Sequence, residues 1–173
     1  FCPACLTGAK QEGIDGEEVR RQVERLATGW LNEEGEPVPP PGADVASWLV
    51  EVHGLGPYLR LRSQVVSRLV GIAHQTAQRH GVALEVIPAS FQRPLARAWL
   101  EGASLPDLGR ASDGLVILAY FPTAAEVAAD LRHASQAVPG VQLVAGLNAC
   151  PPSMGDEPTL VEQVRACQSA GVE

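Results

Sequence analysis

Two cysteines near the beginning of the sequence are the residues whose type and spacing best suit metal or redox chemistry. Cys2 and Cys5 stand in the stretch FCPAC, a CxxC motif. Such a pair supplies half of a tetrahedral zinc site, which needs two further ligands. Two other interpretations stay open: free thiols in a loop, and a redox disulfide, which is disfavoured because no strand precedes the motif. The cofactor prediction is therefore zinc at Cys2 and Cys5, or none.

The other two cysteines, Cys150 and Cys167, are predicted to be single buried thiols. Cys167 falls between apolar neighbours on a predicted helix, where a free cysteine behaves as a small hydrophobic residue. Four cysteines so widely scattered indicate no disulfide framework and no particular redox compartment, so localisation is left open.

The elements that must position any functional group follow a β/α rhythm in the second half of the sequence. The apolar runs in HGVALEVIPAS, SDGLVILAYF and PGVQLVAGLN predict strands at 83–88, 114–120 and 141–147. Continuous apolar runs are typical of parallel strands covered on both faces. Two helices follow the second and third strands, each with a predicted capping box, at Thr123 and Glu126 and at Thr159 and Glu162. The pattern favours an α/β fold.

The first half of the sequence is predicted to be helical. Asp15 is a candidate N-cap, with Glu18 at capping-box spacing. A loop rich in proline and glycine follows at 32–43 and is expected to lie inside one domain. The clearest helix runs from Pro57 to His80, with one apolar stripe that would face the core: Tyr58, Leu61, Val65, Leu69, Ile72 and Thr76.

Composition and charge exclude several classes of function. The net charge of −7 argues against a nucleic-acid surface, which needs basic residues to meet the phosphates. No apolar run approaches the roughly 20 residues of a membrane-spanning helix. No glycine-rich phosphate-binding motif follows any predicted strand. Nucleic-acid and membrane partners are therefore not expected, and the oligomeric state is left open.

Five stretches together are similar to the second half of a TIM-barrel protein of the glycoside-hydrolase type: FCPACLTGAKQEGID, YLRLRSQVVSRLVGIAHQTAQRHGV, LEVIPASF, DGLVILAYF and LVEQVRACQSAGVE. They resemble uncharacterised bacterial glycoside-hydrolase-like proteins and, more distantly, the β-galactosidases with a cysteine cluster in the fourth βα loop. The resemblance implies a partial (β/α)8 barrel, with strands five to seven and their flanking helices. Residues 1–173 would form a single domain, truncated at both ends, of a larger protein. An open doubly wound sheet is the other architecture that the rhythm fits.

The resemblance also implies a carbohydrate site at the carboxyl ends of the strands, where barrel active sites lie. Tyr120 and Phe121 end strand six, and they would either stack on a sugar ring or pack at the barrel rim. Asn148 ends strand seven, where it would bind a substrate hydroxyl or form a turn. Ser90 follows strand five and is a weaker candidate for substrate binding.

Neither the sequence nor the resemblance identifies the catalytic residues. Retaining hydrolases use two carboxylates about 5–5.5 Å apart, which related enzymes place at the ends of strands four and seven. Strand four would precede Phe1, and strand seven ends in Asn148 without a glutamate. We therefore expect acid/base hydrolysis in a larger protein, with the main carboxylate outside these residues. Candidates within the sequence are Asp156, Glu157 and Glu85.

Two alternatives to a hydrolase remain. One is a non-catalytic, barrel-derived module that binds carbohydrate or is structural. The other is an unrelated β/α-barrel lyase, for which a Schiff-base mechanism is disfavoured because the only lysine is Lys10, beside the cysteine motif.

Overall fold

The computed structural model describes residues 1–32, 48–52, 54–89, 95–149 and 157–172. Within the chain, Phe1–Arg62 and Ser63–Glu173 form two compact units, and each is described by itself. Ser90, Cys150, Asp156 and the predicted loop 32–43 after Asn32 lie outside the described residues.

The first unit is helical, as predicted from Asp15 onward, but the loop expected at the cysteine motif is wrong, because Cys5 and Lys10 lie on a helix. Helix α1 spans Pro3–Gln11 and helix α2 spans Gly16–Asn32. A π-helical turn follows at Trp48–Val52, and helix α3 begins at Gly56 and continues to Arg79. A Cβ added to Gly16 would lie 3.1 Å from Cδ2 of Leu6, so α1 and α2 approach closely where α2 begins.

The start of α2 confirms Asp15 as a capping residue but not a full capping box. The backbone N–H of Glu18 donates to Oδ1 of Asp15 over 3.0 Å. The Glu18 carboxylate forms an ion pair with Arg21 at 2.8 Å. In a capping box the Glu18 carboxylate would accept a hydrogen bond from the backbone N–H of Asp15. Here it pairs instead with Arg21, three residues further along the helix.

The second unit contains a three-stranded parallel sheet. Strands β1 (Glu85–Val86), β2 (Gly114–Leu118) and β3 (Gln142–Gly146) are ordered β1-β2-β3. The register pairs Glu85 with Gly114 and Leu118 with Gly146. The prediction of three parallel strands in one sheet is confirmed, although β1 is far shorter than the predicted 83–88.

Helices follow the second and third strands, as predicted, and two helical segments that were not predicted lie between the first two strands. A 3-10 helix at Leu95–Glu101 and helix α4 at Leu105–Arg110 lie between β1 and β2. Helix α5 (Ala124–Ala137) joins β2 to β3, and helix α6 (Glu157–Ser169) follows β3. The largest fully buried side chains are Leu108, Leu115, Ile117, Leu131 and Val127.

The two predicted capping boxes have different outcomes. At α5 the box is present: the backbone N–H of Glu126 donates to Oγ1 of Thr123 over 3.3 Å, and the N–H of Thr123 donates to the Glu126 carboxylate over 3.2 Å. At α6 the prediction is wrong, because the helix begins at Glu157 and Thr159 already lies inside it.

The prediction that the apolar stripe of helix α3 faces the core is wrong within the second unit. Val65, Leu69 and Ile72 are exposed, by 55%, 66% and 57%. Val66 and Val70, on the neighbouring face, pack against the core instead. Helix α3 carries apolar residues on both faces, and the 3.6-residue period alone does not decide which face the sheet covers.

Glycines follow the carboxyl ends of two of the helices. Gly81 follows α3 with a φ of 66° and Gly171 follows α6 with a φ of 68°, a left-handed conformation that favours glycine. The N–H of Val82 donates to the carbonyl of Ala77 over 3.0 Å, and the same six-to-one bond closes α6. Each is a Schellman motif, which satisfies the last helical carbonyls.

The architecture is therefore mixed α/β with a small parallel sheet. None of the helices in the described ranges is both long enough and apolar enough to cross a membrane.

Candidate functional site

The carboxyl ends of β2 and β3 lie side by side. The N–H of Ala119 donates to the carbonyl of Gly146 over 2.9 Å, which continues the ladder to the edge of the sheet. Tyr120 follows directly after Ala119, and Asn148 comes two residues after Gly146. Neighbouring parallel strands end at the same edge. The structure therefore brings these two predicted substrate-binding residues to one edge.

Tyr120 and Phe121 have different surroundings at this edge. A Cβ added to Gly146 would lie 3.7 Å from Cε1 of Tyr120, so the half-buried tyrosine ring lies close to the backbone of β3. Phe121 packs against the core, and its carbonyl accepts a hydrogen bond from the buried side-chain amide of Gln163 over 2.8 Å. Tyr120 is thus the better placed of the two to contact a ligand, and Phe121 contributes to packing.

A cleft of about 340 Å³ opens at the carboxyl end of β1. Its walls are mainly apolar, and Glu101 brings one carboxylate to them. The lining residues are Val66, Val86, Ile87, Pro88, Ala89, Glu101, Ala103 and Leu108. Sequence reasoning missed Glu101, because it ends a 3-10 segment that carries no periodic pattern. Ser90, the predicted residue nearest to this cleft in sequence, lies outside the described residues.

Glu85 is not the buried carboxylate that its apolar neighbours in the sequence suggest. It is the first residue of β1, at the amino end of the strand, and it is exposed. An exposed carboxylate needs no protein partner. Glu157, another candidate, is exposed at the start of α6, which follows β3.

The amino edge of the sheet carries a second polar group, which is structural. Asp113 precedes β2; its Oδ2 accepts from the N–H of Leu84 over 2.7 Å, and its own N–H donates to the Leu84 carbonyl over 2.9 Å. Nε2 of His74 lies 3.1 Å from Oδ1 of Asp113, without the alignment of a hydrogen bond. The Leu84 N–H and then His74 lower the pKa of Asp113. These contacts tie the amino end of β2 to the residue before β1.

Cys2 and Cys5 form a close pair of thiols in the first unit. Cys2 is the N-cap residue of α1, and the two Sγ atoms are 3.4 Å apart. Both residues are free and exposed. The backbone N–H of Cys5 and then the Cys5 thiol lower the pKa of Cys2. This is the environment that helix N-termini offer to a thiolate.

Two aromatic rings lie beside this pair. Phe1 stacks on Tyr58 with a centroid distance of 5.1 Å. Burial, and then the charge on Cys5, raise the pKa of Tyr58.

The described residues supply two sulfur ligands for the predicted zinc ion. In this part of the chain, no three His, Cys, Asp or Glu side chains come together so that they could hold a metal ion. A zinc ion at Cys2 and Cys5 would need its remaining ligands from outside the described residues. Cys167 is buried, as predicted, and burial raises the pKa of its thiol.

The chain was also compared with protein-family models, with curated proteins and with solved structures, and nothing in any of the three matches it.

Proposed function

We propose that this chain is part of a glycoside-hydrolase-like α/β-barrel protein and that it binds carbohydrate at the carboxyl edge of its sheet. One observation carries the proposal: the Tyr120 ring lies close to the backbone of β3 at Gly146, at the edge of the sheet where Asn148 follows this strand. An aromatic face next to an amide suits a sugar, because the ring packs against C–H groups while the amide bonds hydroxyls.

The order of the strands supports a barrel. In a (β/α)8 barrel each strand pairs with the next one in sequence, and β1, β2 and β3 pair in this order. In a doubly wound sheet the order reverses at a switch point, and the ligand binds there. No reversal occurs among the three described strands.

The proposed roles are for binding. Tyr120 stacks on the ring of the sugar, and Asn148 holds a hydroxyl. Acid/base hydrolysis needs two carboxylates in register. Of the carboxylates that follow the described strands, Glu126 is held by Thr123 at the start of α5. Because β3 is followed by Asn148 instead of a glutamate, we expect the main catalytic carboxylate to come from outside this chain.

A non-catalytic carbohydrate-binding module is the second candidate. The observation that favours it is that the third strand is followed by Asn148, an amide that binds hydroxyls but cannot act as an acid or a nucleophile. Both candidates require the same sugar contacts, and they differ in turnover alone.

Calorimetric titration of the 173-residue chain with cello-, xylo-, manno- and galacto-oligosaccharides tests the binding site. Tyr120→Ala should weaken binding by about tenfold, or ~1.4 kcal/mol, whereas Tyr120→Phe keeps the ring and should bind nearly normally. Asn148→Ala should weaken binding by a similar factor. Gln142→Ala, at the amino end of the same strand, is the matched control and should change nothing.

Turnover of aryl glycosides by a longer form of the protein, next to the 173-residue chain, separates the two candidates. Turnover in the longer form alone supports a hydrolase, and binding without turnover in both supports the module. If no oligosaccharide binds, or if Tyr120→Ala and Asn148→Ala keep full affinity while their circular dichroism is unchanged, the proposal is wrong.

A further inference from the structure

The two thiols of the first unit lie close enough together to suit redox chemistry, although the sequence pattern disfavoured a redox disulfide. The Cys2 and Cys5 sulfurs are 3.4 Å apart, and a disulfide needs about 2.05 Å between them. The missing strand before the motif, which argued against redox chemistry, does not affect this proximity.

The two thiols are also accessible to a reaction partner. Both residues are exposed, and Cys2 sits at the N-terminus of the nine-residue helix α1. The unpaired N–H groups and the positive end of the helix dipole favour a negative charge at that position. Thiolates, not thiols, are the nucleophiles of disulfide exchange. Cys2 is therefore the better placed of the two to react first.

Cys5 is held where it can complete a second step. It lies in the first turn of α1, and its sulfur is 3.4 Å from the sulfur of Cys2. A thiol in contact with the first sulfur attacks it intramolecularly, at an effective concentration that no external thiol reaches.

We propose that Cys2 and Cys5 form a reversible dithiol–disulfide couple that exchanges with low-molecular-weight disulfides. In the first step the Cys2 thiolate attacks one sulfur of a disulfide RSSR. The S–S bond of RSSR breaks, a mixed disulfide forms between Cys2 and one RS group, and the other leaves as RS⁻ and takes up a proton from water.

In the second step Cys5 gives up its proton to water and its sulfur attacks Sγ of Cys2. The mixed disulfide breaks, the second RS⁻ leaves and is protonated, and the Cys2–Cys5 bond forms. The protein dithiol is oxidised by two electrons, and RSSR is reduced to two RSH molecules. The reverse sequence restores the dithiol when RSH is in excess.

Oxidised glutathione is the probe for this proposal. The reduced full chain is mixed with it, quenched with acid and measured by mass spectrometry. The wild-type chain should lose two hydrogen atoms and keep no adduct, and peptide mapping should show a Cys2–Cys5 bond. Cys5→Ser should accumulate one glutathione on Cys2, because the resolving thiol is gone. Cys2→Ser should form an adduct at least tenfold more slowly.

Cys167→Ser is the matched control, since this thiol is buried, and it should behave like the wild type. Equilibration of the wild type against defined mixtures of reduced and oxidised glutathione should give a two-electron titration. The proposal is overturned if the wild-type dithiol stays reduced at every ratio, or if Cys5→Ser retains no glutathione. It is also overturned if the chain as purified holds stoichiometric zinc that both serine variants lose and that blocks the oxidation.

Discussion

Two aspartates of the second unit each accept a hydrogen bond from a backbone amide, yet their pKa values shift in opposite directions. Asp113 accepts a hydrogen bond from the N–H of Leu84, and Asp130 accepts one from the N–H of Leu95, both over 2.7 Å. Each bond ties a carboxylate to a backbone amide far away in the sequence. Yet the pKa of Asp113 is lowered and the pKa of Asp130 is raised.

Burial explains why the pKa values of the two aspartates shift in opposite directions. Asp113 is exposed at the amino edge of the sheet, so the amide of Leu84 and the nearby His74 stabilise its charge with little loss of hydration. Asp130 lies on α5 and is only 6% exposed. Desolvation raises its pKa, and the Leu95 amide and His133 offset only part of that effect. One hydrogen bond does not make up for the water that a buried carboxylate gives up.

The difference shows what each contact does. At Asp113 the bond favours the ionised carboxylate, so ionisation and folding support each other. At Asp130 the bond satisfies the amide of Leu95, a residue that is itself only 4% exposed. A buried amide without an acceptor is costly, so Asp130 contributes through its oxygen rather than through its charge.

The largest effect is expected from Asp130→Ala, which leaves the buried Leu95 amide without its acceptor. The free energy of unfolding should fall by about 1–3 kcal/mol, measured by urea denaturation at pH 7. Asp130→Asn keeps an oxygen at the same place and is the matched control, so it should lose much less. Equal losses in the two variants would show that the hydrogen bond to Leu95 does not matter.

Most of the fold of the second unit could be predicted from the sequence. The three apolar runs and the cap at Thr123 are local signals, and the structure bears them out. The side of α3 that packs could not be predicted, because both faces carry valines and only the position of the sheet selects between them. The short length of β1 could not be predicted either. An apolar run indicates that a segment tends to form a strand, whereas the neighbouring strand determines how many of its residues pair.

The candidate site was predicted in part. The rule that parallel strands end at one edge was enough to place Tyr120 beside the end of β3. Glu101 and Asp130 escaped because their environments come from residues distant in sequence. The environment of His74 escaped as well: its side chain is only 16% exposed and lies near Asp113. Contacts across 29 or more residues leave no periodic trace in a single sequence.

A smaller effect is expected in the pH dependence of Asp130→Asn. Because the pKa of Asp130 is raised on folding, the wild type gains stability from this group below its unfolded pKa of about 3.9 and loses it as the pH rises through the folded value. Asparagine does not titrate. The free energy of unfolding, measured with urea between pH 3 and pH 8, should therefore rise for the variant relative to the wild type as the pH increases above about 4. A constant difference across this range would contradict the raised pKa.

The smallest effect is expected from Asp113→Asn, and its pH dependence has the opposite sign. The folded pKa of Asp113 is lowered, so the wild type is stabilised above the unfolded value of about 3.9 and loses that stability as the pH falls through the lower folded value. Asparagine still offers an oxygen to Leu84, but a neutral acceptor binds an amide less strongly than a carboxylate does. The variant should be slightly less stable than the wild type at pH 5 and should approach it at pH 3. Added salt should shrink the difference at pH 5, because the site is exposed and its charges are screened. If the difference instead grows as the pH falls, Asp113 is not stabilised as a carboxylate, and the contrast with Asp130 disappears.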